Sequence, residues 1–255
     1  MSTLANARDV LQLIARLQRS VTVTDVTNEL GLAKSSASRT LSSMAQYGFL
    51  ERDLTTRAYR PGSVIMEASW QFRASHTASS LVEEELESLV GGSGYTGYLN
   101  VLDGTDVIVI NMRPGTRTLQ VYTPPGTRAP AWASAAGRAL LATLPGDELA
   151  TLLPGHFTQR LGNEPQSLEE VHIRIAEIKK TGWALSRGEY VQGIAGISAA
   201  VCDPNSGQRY GFGLAIPREE LSDELIACWG GAVRDAALRL GKLLGDPFWL
   251  SFPQY

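Results

Sequence analysis

The sequence predicts an α+β protein in two unequal units. One is a small, mainly helical head closed by a β-hairpin; the other is a larger domain in which an antiparallel sheet is flanked by helices. Three observations predict this. Residues 1–62 run helix, short helix, glycine turn, helix, and then two short strand-like runs around a polar turn. From Tyr95 onward strand-like runs cluster, with helical periodicities at their flanks. The charge also divides: residues 1–62 hold eight basic against five acidic side chains, whereas the remaining 193 hold 15 against 21. A basic head joined to an acidic body suits a polyanion partner for the head.

The head is justified element by element. Leu4, Ala7, Val10, Leu11, Ile14, Ala15 and Leu17 recur at helical spacing and predict a first helix over 4–18. Val21–Thr24 is short and β-branched. Thr24 or Asp25 is the expected cap of a second helix that ends near Leu30, where Gly31 stops it. Ala33–Tyr47 reads as a third helix ended by Gly48. Phe49–Arg52 and Ala58–Pro61 read as strands around the turn Asp53–Arg57. That order is a winged helix-turn-helix.

On a helical wheel the third helix puts Ala37, Leu41 and Met44 on one face and Ser35, Arg39, Ser42 and Gln46 opposite, with Ser36 and Ser38 beside them. Small hydroxyls and one arginine leave a helix slim enough for the DNA major groove. Lys34 and Ser35 fall in the first turn, where free N–H groups and the helix dipole favour a phosphate. The wing adds Arg52, Thr55, Thr56, Arg57 and Arg60 for phosphate or minor-groove contact. The candidate DNA-binding residues are therefore Lys34, Ser35, Ser36, Ser38, Arg39, Arg52, Thr55, Thr56, Arg57 and Arg60, and double-stranded DNA is the expected partner.

Beyond the head, Ser63–Ala74 continues as an apolar helix carrying Val64, Ile65, Met66, Ala68, Trp70 and Phe72. It is read as a linker over 63–76 and a dimer contact, or as packing on its own head. The expected larger domain spans 77–255. It opens with a helix over 78–90, whose run Glu83–Glu85 is a solvated face. Tyr98–Leu102, Asp106–Met112 and Leu119–Tyr122 are strand-like. Helices follow at Ala133–Leu144, Asp147–Leu153 and Leu168–Thr181. Ala184–Ser186, Ile197–Cys202 and Tyr210–Ile216 are further strands, the last two joined by the turn Asp203–Gly207. Glu219–Gly245 is a long terminal helix.

Composition excludes several classes. With 44% hydrophobic and 19% charged residues in 255, the chain has ample material for a core and is neither disordered nor fibrous. No apolar run is long enough to span a bilayer, and Met1–Leu13 carries Arg8 and Asp9 in place of an apolar signal segment, so a cytoplasmic protein with no membrane partner is expected. Two cysteines, Cys202 and Cys228, make neither a disulfide framework nor a zinc set, and His76, His156 and His172 are dispersed. Gly92–Gly97 fits GxGxxG in letters only: it follows a helix and precedes a strand, the reverse of a dinucleotide site. Walker, GxSxG and HExxH patterns are missing from the sequence. No catalytic residue, metal or cofactor is expected, and Cys202 reads as a small core residue.

Three stretches carry a family resemblance. Leu30–Arg39 with Tyr47–Asp53, then Ser134–Ala142, then Gly182–Glu189 followed after six residues by Gly196–Asp203, resemble the landmarks of IclR-type transcriptional regulators, in the same order and over almost the whole chain. The resemblance implies a winged-helix head and a GAF-like effector-binding domain. It also implies a homodimer or dimer of dimers on a palindromic operator, and a small-molecule effector. The expected activity is ligand-responsive regulation, as the repressor of a catabolic operon. The alternative is an architectural DNA-binding protein whose C-terminal domain only dimerises.

Carried over position by position, the family's effector pocket falls at Trp132, Ala135, Ala136, Ser186, Glu189, Gly196, Gly213 and Ala215, and several residues depart from the pattern. Ser186 stands at an acidic position and Gly196 at a cysteine. Gly213 and Ala215 take the place of a hydroxyl pair, Trp132 of a histidine and Ala200 of a proline. Smaller and less polar side chains imply a larger, flatter effector such as an aromatic acid or related ring compound. The other reading of the same small residues is tight strand packing or a vestigial pocket.

Overall fold

The computed structural model describes residues 3–17, 19–68, 77–153 and 164–253. The chain divides into two compact units, 1–77 and 78–255.

In the first unit, α1 (Thr3–Leu17), α2 (Val23–Leu30) and α3 (Lys34–Gln46) enclose a core of Val10, Leu13, Ile14, Val26, Leu41 and Met44. Burying each such side chain is worth roughly 1.5–3 kcal/mol, which holds together helices too short to persist alone. The cap of α2 is Thr22, not Thr24 or Asp25. The Thr22 hydroxyl accepts from the Asp25 amide (3.2 Å), and the Asp25 carboxylate accepts from the Thr22 amide (2.7 Å). This reciprocal box needs Asp25 three residues inside the helix, so Asp25 cannot be the cap itself. Val23 and Thr24 accordingly join the helix, leaving Val21 to bridge Tyr59. Gly31 ends α2 in the left-handed region (φ 66°). The wing is β1 (Leu50–Arg52) paired antiparallel with β2 (Tyr59–Pro61). Residues 63–68 are helical (α4) and largely exposed; the rest of the expected linker helix lies outside the described residues.

The second unit is built on a six-stranded antiparallel sheet. Its strands are β3 (Thr96–Asp103), β4 (Asp106–Arg113), β5 (Arg128–Pro130), β6 (Ala184–Arg187), β7 (Ile194–Cys202) and β8 (Arg209–Pro217), in the order β5-β4-β3-β8-β7-β6. One face carries Leu99, Ile197, Ala199, Val201, Phe212 and Leu214 against α5 (Ala78–Ser93) and α9 (Asp223–Leu244). The other face meets α6 (Ala135–Ala142), which packs with α8 (Leu168–Thr181). The short helices α7 (Gly146–Leu152) and α10 (Pro247–Leu250) complete the unit. Trp249 of α10 donates its indole N–H to the Ala200 carbonyl (2.7 Å).

Some expected elements differ. Leu119–Tyr122 is not a strand. Leu119 and Tyr122 point outward, the Val121 carbonyl accepts from the Tyr98 hydroxyl (2.7 Å), and Pro124 and Pro125 have no N–H to offer a ladder. The strand beside β4 is instead Arg128–Pro130. β7 begins at Ile194, ahead of the expected Ile197, since Ala195 and Gly196 carry no strand signal of their own. The terminal helix starts at Asp223 because the Ser222 hydroxyl caps it, accepting from the Leu225 amide (3.2 Å); Arg218–Glu220 form a separate 3-10 turn. Ala133 likewise belongs to a 3-10 turn, Ala131–Ala133, before Ser134 caps α6.

Candidate functional site

Two places on the chain concentrate chemistry, one in each unit. In the head, α3 buries Ala37, Thr40, Leu41 and Met44 and exposes Lys34, Ser35, Ser38, Arg39, Ser42 and Gln46, with Ser36 half-buried. Its N-cap is Ala33, whose methyl makes no cap hydrogen bond; the Ser36 amide donates to the Ala33 carbonyl (2.9 Å), which leaves the Lys34 and Ser35 amides open to an outside acceptor. On the wing, Arg52, Thr55, Thr56, Arg57 and Arg60 are all exposed. The turn is tied by Asp53, whose carboxylate accepts from the amides of Thr56 (2.7 Å) and Thr55 (2.8 Å). Those bonds hold the Asp53 carboxyl below its ordinary value. Arg57 sits at φ 58°, the sole described residue other than glycine with a positive φ. Arg60 pairs with Glu51 (3.1 Å) and Arg52 lies over the Tyr59 ring (5.5 Å), so both are pre-positioned on the hairpin surface.

In the larger unit the sheet and α6 enclose a cavity of about 400 Å³. Its floor is the middle of the sheet, where strand register lines up small residues. Ser186 lies opposite Gly196, which lies opposite Ala215; Ser198 lies opposite Gly213, which lies opposite Tyr98. Ala135 and Ala136, at the start of α6, form one side. Gly137 lets α6 lie close against the preceding 3-10 turn, since a Cβ there would meet the Ala131 carbonyl at 2.2 Å. Ala135 and Ala136 occupy the first two helical positions, whose N–H groups have no partner within a helix; the Gly137 amide is taken by the Ser134 hydroxyl (3.0 Å). The segment Val121–Pro124 walls the other side, held by the Tyr98 hydroxyl, which also accepts from the Thr123 amide (3.0 Å).

Of the eight expected pocket residues, Ala135, Ala136, Ser186, Gly196, Gly213 and Ala215 line this cavity together. Trp132 and Glu189 do not. The Trp132 ring is buried in the core beneath α6, and its carbonyl accepts from Arg138 (2.8 Å). Glu189 turns away to Arg138, with Oε2 at 2.5 Å from Nη2. Both groups are almost fully buried, and Arg138 also donates to the Leu185 carbonyl (2.6 Å). Burial pulls the Arg138 guanidinium below its ordinary value, and the Glu189 charge opposes that pull. The pair ties α6 to the segment after β6, next to the cavity lip formed by Tyr190 and Val191. Sequence reasoning missed Ser198, Asn100 and the Val121–Pro124 wall. Ser198 is legible as a polar residue interrupting an apolar strand; the wall begins within Leu119–Tyr122, whose residue types suggest a strand.

Among the described residues no charged side chain lines the cavity. Among the described residues no cluster of three His, Cys, Asp or Glu is placed to hold a metal ion, and no helix is long and apolar enough to cross a membrane.

Residues 75–242 match the family model described as the bacterial transcriptional regulator IclR C-terminal domain, and residues 3–54 match the IclR helix-turn-helix domain. The chain is 30% identical over 244 residues to the HTH-type transcriptional regulator BhcR of Paracoccus denitrificans, covering 93% of this chain and 85% of that protein. It is 25% identical to the transcriptional repressor IclR of Escherichia coli, over 93% and 88% of the two chains. Among solved structures, the Agrobacterium tumefaciens repressor BlcR superposes with a TM-score of 0.70 at 27% identity, covering 96% of this chain and 97% of that one.

Proposed function

The chain belongs to the IclR family of bacterial transcriptional regulators, which are not enzymes, and from that premise we propose that it is a ligand-responsive repressor of a catabolic operon. The head binds a palindromic operator in the cytoplasm, as part of a dimer or dimer of dimers. In this reading α3 enters the major groove with Arg39 and the serines Ser35, Ser36 and Ser38 facing base edges, while Lys34 and the wing residues Arg52, Thr55, Thr56, Arg57 and Arg60 hold the phosphates.

The observation that carries the ligand-responsive part is the cavity of about 400 Å³, with no charged side chain among its described lining residues. Its size falls in the range of small-molecule pockets, and its small-residue floor leaves room for a ring. The effector is an aromatic acid or related ring compound, with any carboxylate turned to the open Ala135 and Ala136 amides. In this reading Trp132 and Glu189 support the pocket from behind.

The decisive experiment incubates the protein with sheared genomic DNA of its host and sequences what is retained. Enrichment of one or a few palindromic sites supports the specific regulator. Uniform, salt-labile retention would instead indicate an architectural protein. Calorimetric titration then tests the effector: tight binding of glyoxylate or pyruvate with no binding of aromatic acids would overturn the ring-compound reading.

A further inference from the structure

We propose that Ser198, with Ser186 beside it, reads a neutral oxygen on the buried pole of the effector, a ring hydroxyl or ring carbonyl. The inference rests on the cavity being the effector pocket and names what that pocket recognises. Ser198 and Ser186 are each 5% exposed, and both line the cavity. Neither hydroxyl forms a hydrogen bond to any described residue. Four other hydroxyls around the cavity are engaged: Tyr98 with Val121 and Thr123, Tyr190 with the Arg128 carbonyl, Thr127 with the Pro124 carbonyl, and Ser134 with the Gly137 amide; those of Tyr122 and Thr123 belong to less buried residues of the outer wall. Two nearly buried hydroxyls left without partners are poised for an acceptor or donor supplied from the cavity.

Their placement follows from strand register. Ser186 faces Gly196 across the ladder, Ser198 lies two residues on from Gly196, and Gly213 faces Ser198. The two serines are thus diagonal neighbours on one face, roughly 7–8 Å apart. A Cβ at Gly213 would meet Ser198 Oγ at 2.5 Å, so the glycine is what leaves that hydroxyl uncovered. On the neighbouring strand, Asn100 gives its amide to the Gly211 carbonyl (3.4 Å) and adds a third neutral polar group to the floor. Val107, Val109, Val121 and Pro124 supply apolar surface around it.

The chemistry of this set selects the ligand. A serine hydroxyl both donates and accepts, and so satisfies a hydroxyl or a carbonyl equally well. With no charged side chain among the described residues of the lining, an ionised group pressed onto the sheet floor would lose its hydration without a counter-charge. A mere packing role at position 198 would be served by alanine, which stands at 135, 136, 195 and 215 of the same lining.

The test is calorimetric titration of the full chain with benzoate, 3-hydroxybenzoate and 4-hydroxybenzoate. The expected result is that at least one hydroxylated probe binds about tenfold or more tightly than benzoate. Ser198→Ala should erase that difference while leaving the affinity for benzoate, and for operator DNA without ligand, unchanged. Ser198→Cys, nearly isosteric but a weak hydrogen-bonding group, repeats the test should the alanine variant not fold. Equal binding of the three probes, or a preference that survives in both variants, overturns the assignment of Ser198 and leaves the aromatic-effector reading standing. Binding of none of the three overturns both.

Discussion

Two residues show how a buried or capping charge sets local stability. Asp25 accepts from Arg19 (2.9 Å) and from the Thr22 amide, and these bonds, the Arg19 one foremost, hold its carboxyl well below the usual carboxylate range. A carboxylate depressed on folding contributes stability at pH above its unfolded value of about 3.9 and loses it as the pH falls below that. The stability advantage of the native head over Asp25→Asn should therefore shrink as pH falls from about 5 to about 2, read by denaturant unfolding. Thr22→Ala should cost about 1 kcal/mol at neutral pH in the same assay. Glu189 is the stronger case. Its partner Arg138 is 1% exposed, so Glu189→Ala strands a buried guanidinium and should cost about 3–5 kcal/mol by chemical unfolding. Replacing both by apolar residues of similar volume should restore much of that loss.

At the scale of elements, in the proposed reading α3 and the wing divide the labour of DNA contact in a way that salt can separate. Arg39→Ala should cost about 1–3 kcal/mol on the operator and relax the preference at one base pair, measured by binding to single-base operator variants. Arg57→Ala should weaken binding to every sequence alike and lower the slope of log affinity against log salt by about one. These elements were readable from the sequence because each is announced locally: helical spacing in Leu4–Leu17, Gly31 and Gly48 as stops, and alternation around the wing turn. The elements misread were those decided by distant partners. Thr22 became the cap because Asp25 could reach back to it. Leu119–Tyr122 carries strand-forming residues, yet its carbonyl went to Tyr98, 23 residues away in sequence, and two prolines closed off a ladder. β5 is three residues long and owes its existence to pairing with β4. The candidate pocket followed the same rule. Positions on strand centres and on the first turn of α6 came together as expected, because register fixes which side chains share a face. Trp132 fell outside it because its ring packs into the core, and Glu189 because Arg138 draws its carboxylate, a preference invisible until α6 and the segment after β6 are side by side.

For the whole molecule, the function proposed is a coupling between the two units, and coupling is reciprocal. An effector that weakens operator binding by a given factor must itself bind more weakly, by that factor, to the operator-bound protein. Titrating the effector in the presence and absence of saturating operator measures both sides of this cycle. A ratio of one in both would reduce the protein to a constitutive DNA binder. The charge asymmetry acts at this scale too: the basic head is the part drawn to DNA, and the acidic larger unit, with its excess of carboxylates, is repelled by the same phosphates.

The bare floor of the cavity also bears on how such a regulator changes allegiance over evolutionary time. Its two floor glycines, Gly196 and Gly213, are not equally free to mutate. Any side chain at Gly213 would strike the Ile197 carbonyl at 2.1 Å. Gly196 meets only the Ala135 methyl at 3.2 Å and the Ser186 Cβ at 3.9 Å, contacts that a small shift relieves. A lineage adapting this protein to a new ligand thus has one inexpensive door at the centre of the sheet, position 196, with the neighbouring route at 213 blocked by main chain.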